Sequence, residues 1–168
     1  MKPFDQIDDL GNVRTLDAPA RALGAMSAAL PAGKVRAALA GEPLGHSAHP
    51  MLVQIPIGAW VSAGWLDCLP RTENSAAVLT GVGIVSAIPA IAAGLVDYAD
   101  LSERQRRIAV VHATANALAL VCQVVSLRDR MSGRLRRGQW IGFAGTSLLA
   151  VGGLLGGHLA HAQTAATD

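Results

Sequence analysis

The stretch HPMLVQIPIGAWVSAGWLDCL, residues 49–69, decides the fold. After its opening His-Pro pair, this stretch is apolar and contains a single charged side chain, Asp67. A helix of about 20 apolar residues is long enough to cross a hydrocarbon core of about 30 Å. We therefore predict that residues 50–69 form a membrane-spanning helix that begins at the proline.

Three further stretches without charged residues follow, at residues 75–96, 108–127 and 139–160. The chain of 168 residues is 51% hydrophobic and only 15% charged, whereas soluble domains carry about 25% charged residues. The links between the four stretches are short, which forces neighbouring helices to run antiparallel. The fold class that we predict is an all-α integral membrane protein, a four-helix up-down-up-down transmembrane bundle in residues 46–163, with a short tail at 164–168.

Residues 1–45 form a predicted N-terminal segment with an amphipathic helix. In LDAPARALGAMSAAL, residues 16–30, apolar side chains recur at helical spacing, while Asp17 and Arg21 face elsewhere. This pattern is typical of a helix that lies in the membrane interface. It fits a helix docked on a partner protein equally well. Pro31 and Gly33 end it, and a second short helix is expected through residues 34–40.

All five histidines of the chain, together with Asp97, gather at one predicted face of the membrane. Antiparallel alternation brings the start of the first and third helices to the same face as the end of the second and fourth. Ionisable groups inside a membrane are costly unless paired, so each is a candidate functional residue. At this face, where the termini also emerge, lie His46, His49, Asp97, His112, His158 and His161.

Two helix faces are distinctive. Polar or small residues of the third stretch recur at spacings of three and four, a pattern that predicts a stripe facing the bundle interior: His112, Asn116, Ala119, Gln123 and Ser126. The sequence GGLLGGH at residues 152–158 contains two G-x-x-x-G pairs, which permit close helix packing or leave room for a flat cofactor beside His158. Asp67 at the opposite face is expected to pair with Arg71.

The motifs GHSAHP, AAGLVDYADL, RRIAVVHATANALAL and GFAGTSLLAVGGLLGGHLAHAQ resemble a family of bacterial four-helix membrane domains. The resemblance covers residues 29–163, and members of that family are often joined to a Rieske [2Fe–2S] domain. It implies a multi-pass protein of the bacterial cytoplasmic membrane with a redox-associated role. The family pattern has proline where this chain has Ser47, a difference expected to loosen the loop that holds His46. A Rieske motif is absent from the sequence, so an iron–sulfur partner would be another polypeptide.

The histidine cluster predicts a redox or metal site. A b-type haem needs one or two axial histidines from facing helices, and His49, His112 and His158 are the candidates. Asp97 is expected to hold a ligating imidazole through its other ring nitrogen, with Asn116 and Tyr98 beside the ligands. Covalent haem attachment is not expected, because the sequence has no C-x-x-C.

Other assignments remain open. A non-haem zinc or iron ion is the first alternative, with the ligands His46, His49, Asp97, His112 and His158. The second alternative is a non-catalytic membrane subunit that docks a redox protein. A quinone, membrane lipid and a second copy of the chain are further expected partners, and nucleic acid is not expected. The basic residues are distributed almost evenly between the two faces, and those near the N-terminus favour cytoplasmic termini.

Overall fold

The computed structural model describes residues 5–164, with side chains described for residues 7–159, and all of its regular secondary structure is helical. Three short 3₁₀ turns also occur, at residues 14–16, 42–44 and 98–100. The predicted tail at 164–168 and the side chain of His161 lie outside the described part. The eight α-helices are α1 (Asp5–Leu10), α2 (Asp17–Ala28), α3 (Lys34–Ala40), α4 (His49–Leu52), α5 (Gln54–Leu66), α6 (Glu73–Asp97), α7 (Glu103–Met131) and α8 (Leu135–Thr164).

Three helices, α6, α7 and α8, are long and apolar enough to cross a membrane within the described residues. Their outward surfaces carry large apolar side chains: Val85 on α6 is 67% exposed, Val121 on α7 is 57% exposed and Leu154 on α8 is 68% exposed. Exposed apolar side chains on long helices are what a lipid environment requires. The chain is therefore a membrane protein with at least three candidate spans.

The first predicted span differs from expectation, because it is divided into α4 and α5. The break lies at Val53, between Leu52 and Gln54. Pro56 explains it: proline has no N–H, so the Leu52 carbonyl loses its usual helical partner. The longer piece, α5, has 13 residues, fewer than the roughly 20 that a single spanning helix needs.

The long helices pack as antiparallel neighbours. Helix α5 packs against α6 and α8, α6 packs against α7, and α7 packs against α8. On α6, Gly83 makes room for the buried Trp60 indole of α5, whose Nε1 donates a hydrogen bond of 3.2 Å to the Thr80 carbonyl. This arrangement brings the start of α4 and of α7 to the same end of the molecule as the end of α6 and of α8.

The α7–α8 contact is built from the polar stripe of α7 and glycines of α8. Ala119, Gln123 and Ser126 are at most 2% exposed, as the sequence pattern predicts. Gln123 Nε2 donates to the Gly142 carbonyl at 3.1 Å, and Ser126 Oγ donates to the Gly138 carbonyl at 2.6 Å. Glycine lets the two backbones approach closely enough for these side chains to reach across.

The opposite end of the molecule is closed by ion pairs around two buried carboxylates. Asp67 does not pair with Arg71 as expected: both of its oxygens accept from Arg130 of α7, at 2.7 and 2.5 Å. The Asp67 and Arg130 side chains are 2% and 3% exposed. Asp129, also 2% exposed, pairs with Arg134 at 2.7 Å. Arg130 in the last turn of α7 and Arg134 in the loop before α8 therefore compensate carboxylates that are buried within the chain.

The N-terminal helices pack on the chain itself. Helix α2 contacts α6 and α7, and α1 contacts α7. The Tyr98 hydroxyl donates to the Ala20 carbonyl at 2.8 Å, and Arg107 Nε donates to Asp17 Oδ1 at 2.6 Å. The Arg107 guanidinium lowers the pKa of Asp17 below its usual value. Helix α2 thus packs against α6 and α7 of the same chain. The two predictions from sequence had named the membrane interface or a partner protein as its contact.

Candidate functional site

His49, the first residue of α4, points into the bundle and lies against α6. Its Nδ1 is 2.8 Å from the Ala90 carbonyl oxygen, and its ring covers Gly94, where a Cβ would lie 3.0 Å from the His49 Cε1. A carbonyl only accepts hydrogen bonds, so Nδ1 must carry the proton. In the neutral ring, Nε2 is then the nitrogen with a free lone pair.

His112 on α7 is held against α8 in the same way. Its Nδ1 lies 2.8 Å from the Gly152 carbonyl oxygen, and its ring covers Gly156, where a Cβ would lie 2.8 Å from the His112 Cε1. In both cases the glycine follows the accepting carbonyl by one helical turn. The same device therefore fixes both imidazoles with Nδ1 as donor and Nε2 as the unprotonated nitrogen.

The two imidazoles lie next to each other. Their ring centroids are 6.4 Å apart and their planes are 80° apart. Both residues are half-buried, so the pair borders the surface of the bundle. Helices α4 and α7 are far apart in sequence, yet α6 contacts both and brings them together.

Asn116 lies one turn after His112, and its Nδ2 is 3.1 Å from Nε2 and 3.3 Å from Nδ1 of that ring. An amide nitrogen at nearly equal distances from both ring nitrogens lies over the ring face, not on either lone pair. Tyr98 is directed elsewhere, since its hydroxyl bonds to the Ala20 carbonyl of α2. Asn116 therefore supports the imidazole pair and Tyr98 supports the N-terminal helix.

Asp97 reaches His49 through Ser47 and the backbone. The Ser47 hydroxyl donates to Asp97 Oδ2 at 2.5 Å and accepts from the His49 backbone N–H at 3.2 Å. The expectation that Asp97 orients an imidazole through a ring nitrogen is not met, because the Ala90 and Gly152 carbonyls take that role. Ser47 was expected to loosen this loop, and the structure instead ties the loop to α6 through it.

The two other histidines with described side chains, His46 and His158, have contacts of their own. His46 is exposed, and its Nδ1 donates to the Ser47 carbonyl at 3.0 Å. His158 Nε2 lies 3.0 Å from Asp8 Oδ1, an ion pair between α8 and α1 when the ring is protonated. Asn116 and His112 of α7 fill the space next to Gly152 and Gly156. These two glycines therefore serve helix packing and do not leave room for a flat cofactor.

The five residues proposed for a non-haem metal do not converge in this structure. Within the described residues, no three histidine, cysteine, aspartate or glutamate side chains lie close enough together to hold one metal ion. A non-haem zinc or iron site generally needs three or four protein ligands. The arrangement that the structure does provide is a pair of imidazoles, whose ligand roles remain a prediction.

Substitution of Gly156 by alanine tests how tightly His112 is held. We expect the new methyl group to push the imidazole away from α8 and to lower stability by about 1–3 kcal/mol, the usual cost of overpacking. Gly153→Ala is the matched control, since a Cβ there meets nothing within 4 Å. Thermal unfolding of the detergent-purified proteins measures both, and equal midpoints for the two variants would contradict this packing.

Comparison with known proteins identifies the family. The profile of a family described as predicted membrane proteins (DUF2231) matches residues 45–168. The match covers helices α4 to α8, including both imidazoles and the glycines that hold them. No curated protein and no solved structure matches the chain. The chain belongs to the DUF2231 family of predicted membrane proteins.

Proposed function

We propose that this DUF2231 protein is a membrane electron-transfer subunit that binds one b-type haem between His49 and His112. The observation that carries the proposal is the paired geometry of the two imidazoles, with ring centroids 6.4 Å apart. A metal–imidazole bond is about 2.0–2.1 Å long. Two such bonds in line, plus the distance from each ligating nitrogen to its ring centroid, give a centroid-to-centroid distance close to the 6.4 Å observed.

The number of ligands favours haem over a non-haem ion. Haem iron has four nitrogen ligands from its own macrocycle and takes one or two from the protein. The protein therefore needs to supply only what His49 and His112 provide. A zinc ion or a non-haem iron would require a third protein ligand to move in, and Asp97 is already held by Ser47.

The hydrogen bonds of the two imidazoles also fit this role. Metal-ligating histidines usually donate their second ring N–H to a carbonyl or carboxylate, which fixes ring orientation and raises ligand basicity. Both Nδ1 atoms lie 2.8 Å from backbone carbonyl oxygens. Both rings reach the surface of the bundle, and the Asn116 amide lies over a ring face and leaves the in-plane lone pair of His112 available.

The membrane arrangement that we propose is a four-helix bundle, in which α4 and α5 together form the fourth, broken span. Two observations support a broken span: only Val53 separates α4 from α5, and α5 packs against both α6 and α8. The break next to the His49 helix separates that short helix from the rest of the span. We place the protein in the bacterial cytoplasmic membrane with cytoplasmic termini.

The haem supplies one-electron transfer when bound, and the role of this chain is to hold it and keep it within the bundle. From the family resemblance we infer that electrons pass to or from a separate Rieske-type protein, and a membrane quinone is the second candidate partner. The helix ends near His49 and His112 are the part of the bundle where such a partner would have the shortest path to the site.

The visible absorption spectrum of the purified protein, produced in haem-replete cells, tests the proposal. We expect a Soret band that shifts to longer wavelength on reduction by dithionite, with about one haem per chain. Elemental analysis serves as the control for a non-haem ion. A folded protein that contains neither haem nor a transition metal would instead be a non-catalytic membrane subunit, and the proposal would be wrong.

A further inference from the structure

An open cleft lies between the N-terminal helices and the corner where α6 passes into α7. Its volume is about 580 Å³, and no histidine lines it. Four arginines and two acidic residues line the cleft, an excess of two positive charges. They are Arg21, Arg36, Arg106, Arg107, Asp17 and Glu103.

Two residues that line this cleft, Ser27 and Arg106, each have a buried polar atom, Oγ and Nε respectively, with no hydrogen-bond partner among the described residues. The Ser27 side chain is only 2% exposed. A buried donor without a partner costs free energy, so such groups usually mark a missing ligand, ion or water. The Ser27 hydroxyl and the Arg106 guanidinium are both groups that can donate hydrogen bonds to the oxygens of an anion.

The arginines are fixed by contacts that leave donors available. Arg106 Nη2 donates to the Ala99 carbonyl at 2.9 Å, and its Cζ lies 5.7 Å from the centre of the Tyr98 ring. Arg36 Nη1 donates to the Ser27 carbonyl at 3.1 Å. Arg107 is committed to Asp17. Each guanidinium has five N–H donors, so Arg36 and Arg106 retain donors for a bidentate anion.

We propose that this cleft binds a phosphate group, at the depth where phospholipid headgroups lie. Helices α6 and α7 are candidate spans that end and begin at this corner, so the cleft lies at the membrane surface. Basic pockets beside spanning helices bind the headgroups of anionic lipids. A phospholipid headgroup and free phosphate share this chemistry. The site is distinct from the imidazole pair and does not depend on the proposed haem.

Thermal unfolding of the full chain in a non-ionic maltoside detergent tests the site. Three ligands are titrated separately: a short-chain phosphatidylglycerol, the matching phosphatidylcholine and inorganic phosphate. We expect phosphatidylglycerol to raise the unfolding midpoint in a saturable way and phosphatidylcholine to leave it unchanged, because binding to the folded state stabilises it. An equal response to inorganic phosphate supports the site with free phosphate as its ligand.

The variants Arg106→Gln and Arg21→Gln should raise the half-saturating concentration about tenfold or more, since each removes a charged donor. Arg136→Gln is the matched control, an exposed arginine on α8 at the opposite end, and should bind as the native protein does. Arg21 is exposed, so that variant decides the matter if Arg106→Gln does not fold. Binding in both cleft variants equal to that of the native protein would overturn the proposal, as would no response of the native protein to phosphatidylglycerol or phosphate.

Discussion

Replacement of His112 by alanine is expected to reduce the haem content of the purified protein to background. The same loss is expected for His49→Ala, because one remaining imidazole holds the haem from one side only and leaves the other axial position open. The measurement is the haem-to-protein ratio from the reduced-minus-oxidised visible spectrum. His46→Ala is the control, since the exposed His46 ring bonds to the Ser47 carbonyl.

A conservative variant separates ligation from a merely structural role. His49→Met supplies a thioether in place of an imidazole, and methionine–histidine ligation raises the reduction potential of a haem. We expect His49→Met to keep part of its haem at a potential above that of the native protein. If His112→Ala or His49→Ala retains full haem content with an unchanged spectrum, the ligand assignment is wrong.

Replacement of Arg130 by methionine is expected to destabilise the protein by about 3–5 kcal/mol. The variant leaves the Asp67 carboxylate, whose side chain is 2% exposed, without its cation at the end of α5. Ser126 also loses a contact, since Arg130 Nε donates to its hydroxyl at 3.2 Å. Thermal or denaturant unfolding in detergent measures the effect.

Two further variants control this prediction. Arg128→Met removes an exposed arginine from the same turn of α7 and should change stability by less than about 0.5 kcal/mol. The double variant Asp67→Leu with Arg130→Met removes both charges and should recover most of the loss, because apolar replacements of buried pairs are often neutral. Equal stabilities of Arg130→Met and Arg128→Met would show that the buried pair is not formed.

Much of the helix pattern is predictable from sequence periodicity, and its exceptions have local causes. The polar stripe of α7 could be predicted, because its polar and small residues recur at spacings of three and four along the helix. The division of the first span could not be predicted from hydropathy, since it results from the missing N–H of Pro56 within an otherwise apolar stretch. The pairing of Asp67 with Arg130, instead of its sequence neighbour Arg71, depends on how α5 and α7 end together in space.

The candidate site, too, is predictable from sequence in part only. The positions of His49, Asp97 and His112 along their helices predict that all three lie at one end of the bundle, and the structure has them there. Position along a helix does not determine which of these side chains contact each other, because contact depends on the rotation of each helix about its axis. Gly94 and Gly156 provide the missing signal: each lies one turn after the carbonyl that fixes an imidazole. The role of Ser47 cannot be predicted from its neighbours, because its partner, Asp97, is 50 residues away in sequence.

The electron paramagnetic resonance spectrum of the oxidised protein, purified from haem-replete cells, tests the central claim most directly. The claim is that His49 and His112 both ligate one haem iron, with imidazole planes 80° apart. Two nearly perpendicular axial imidazoles predict a low-spin ferric signal of strong anisotropy with one dominant large g value. A high-spin ferric signal, which indicates fewer than two strong axial ligands, would contradict the account, and so would a folded protein without any haem iron signal.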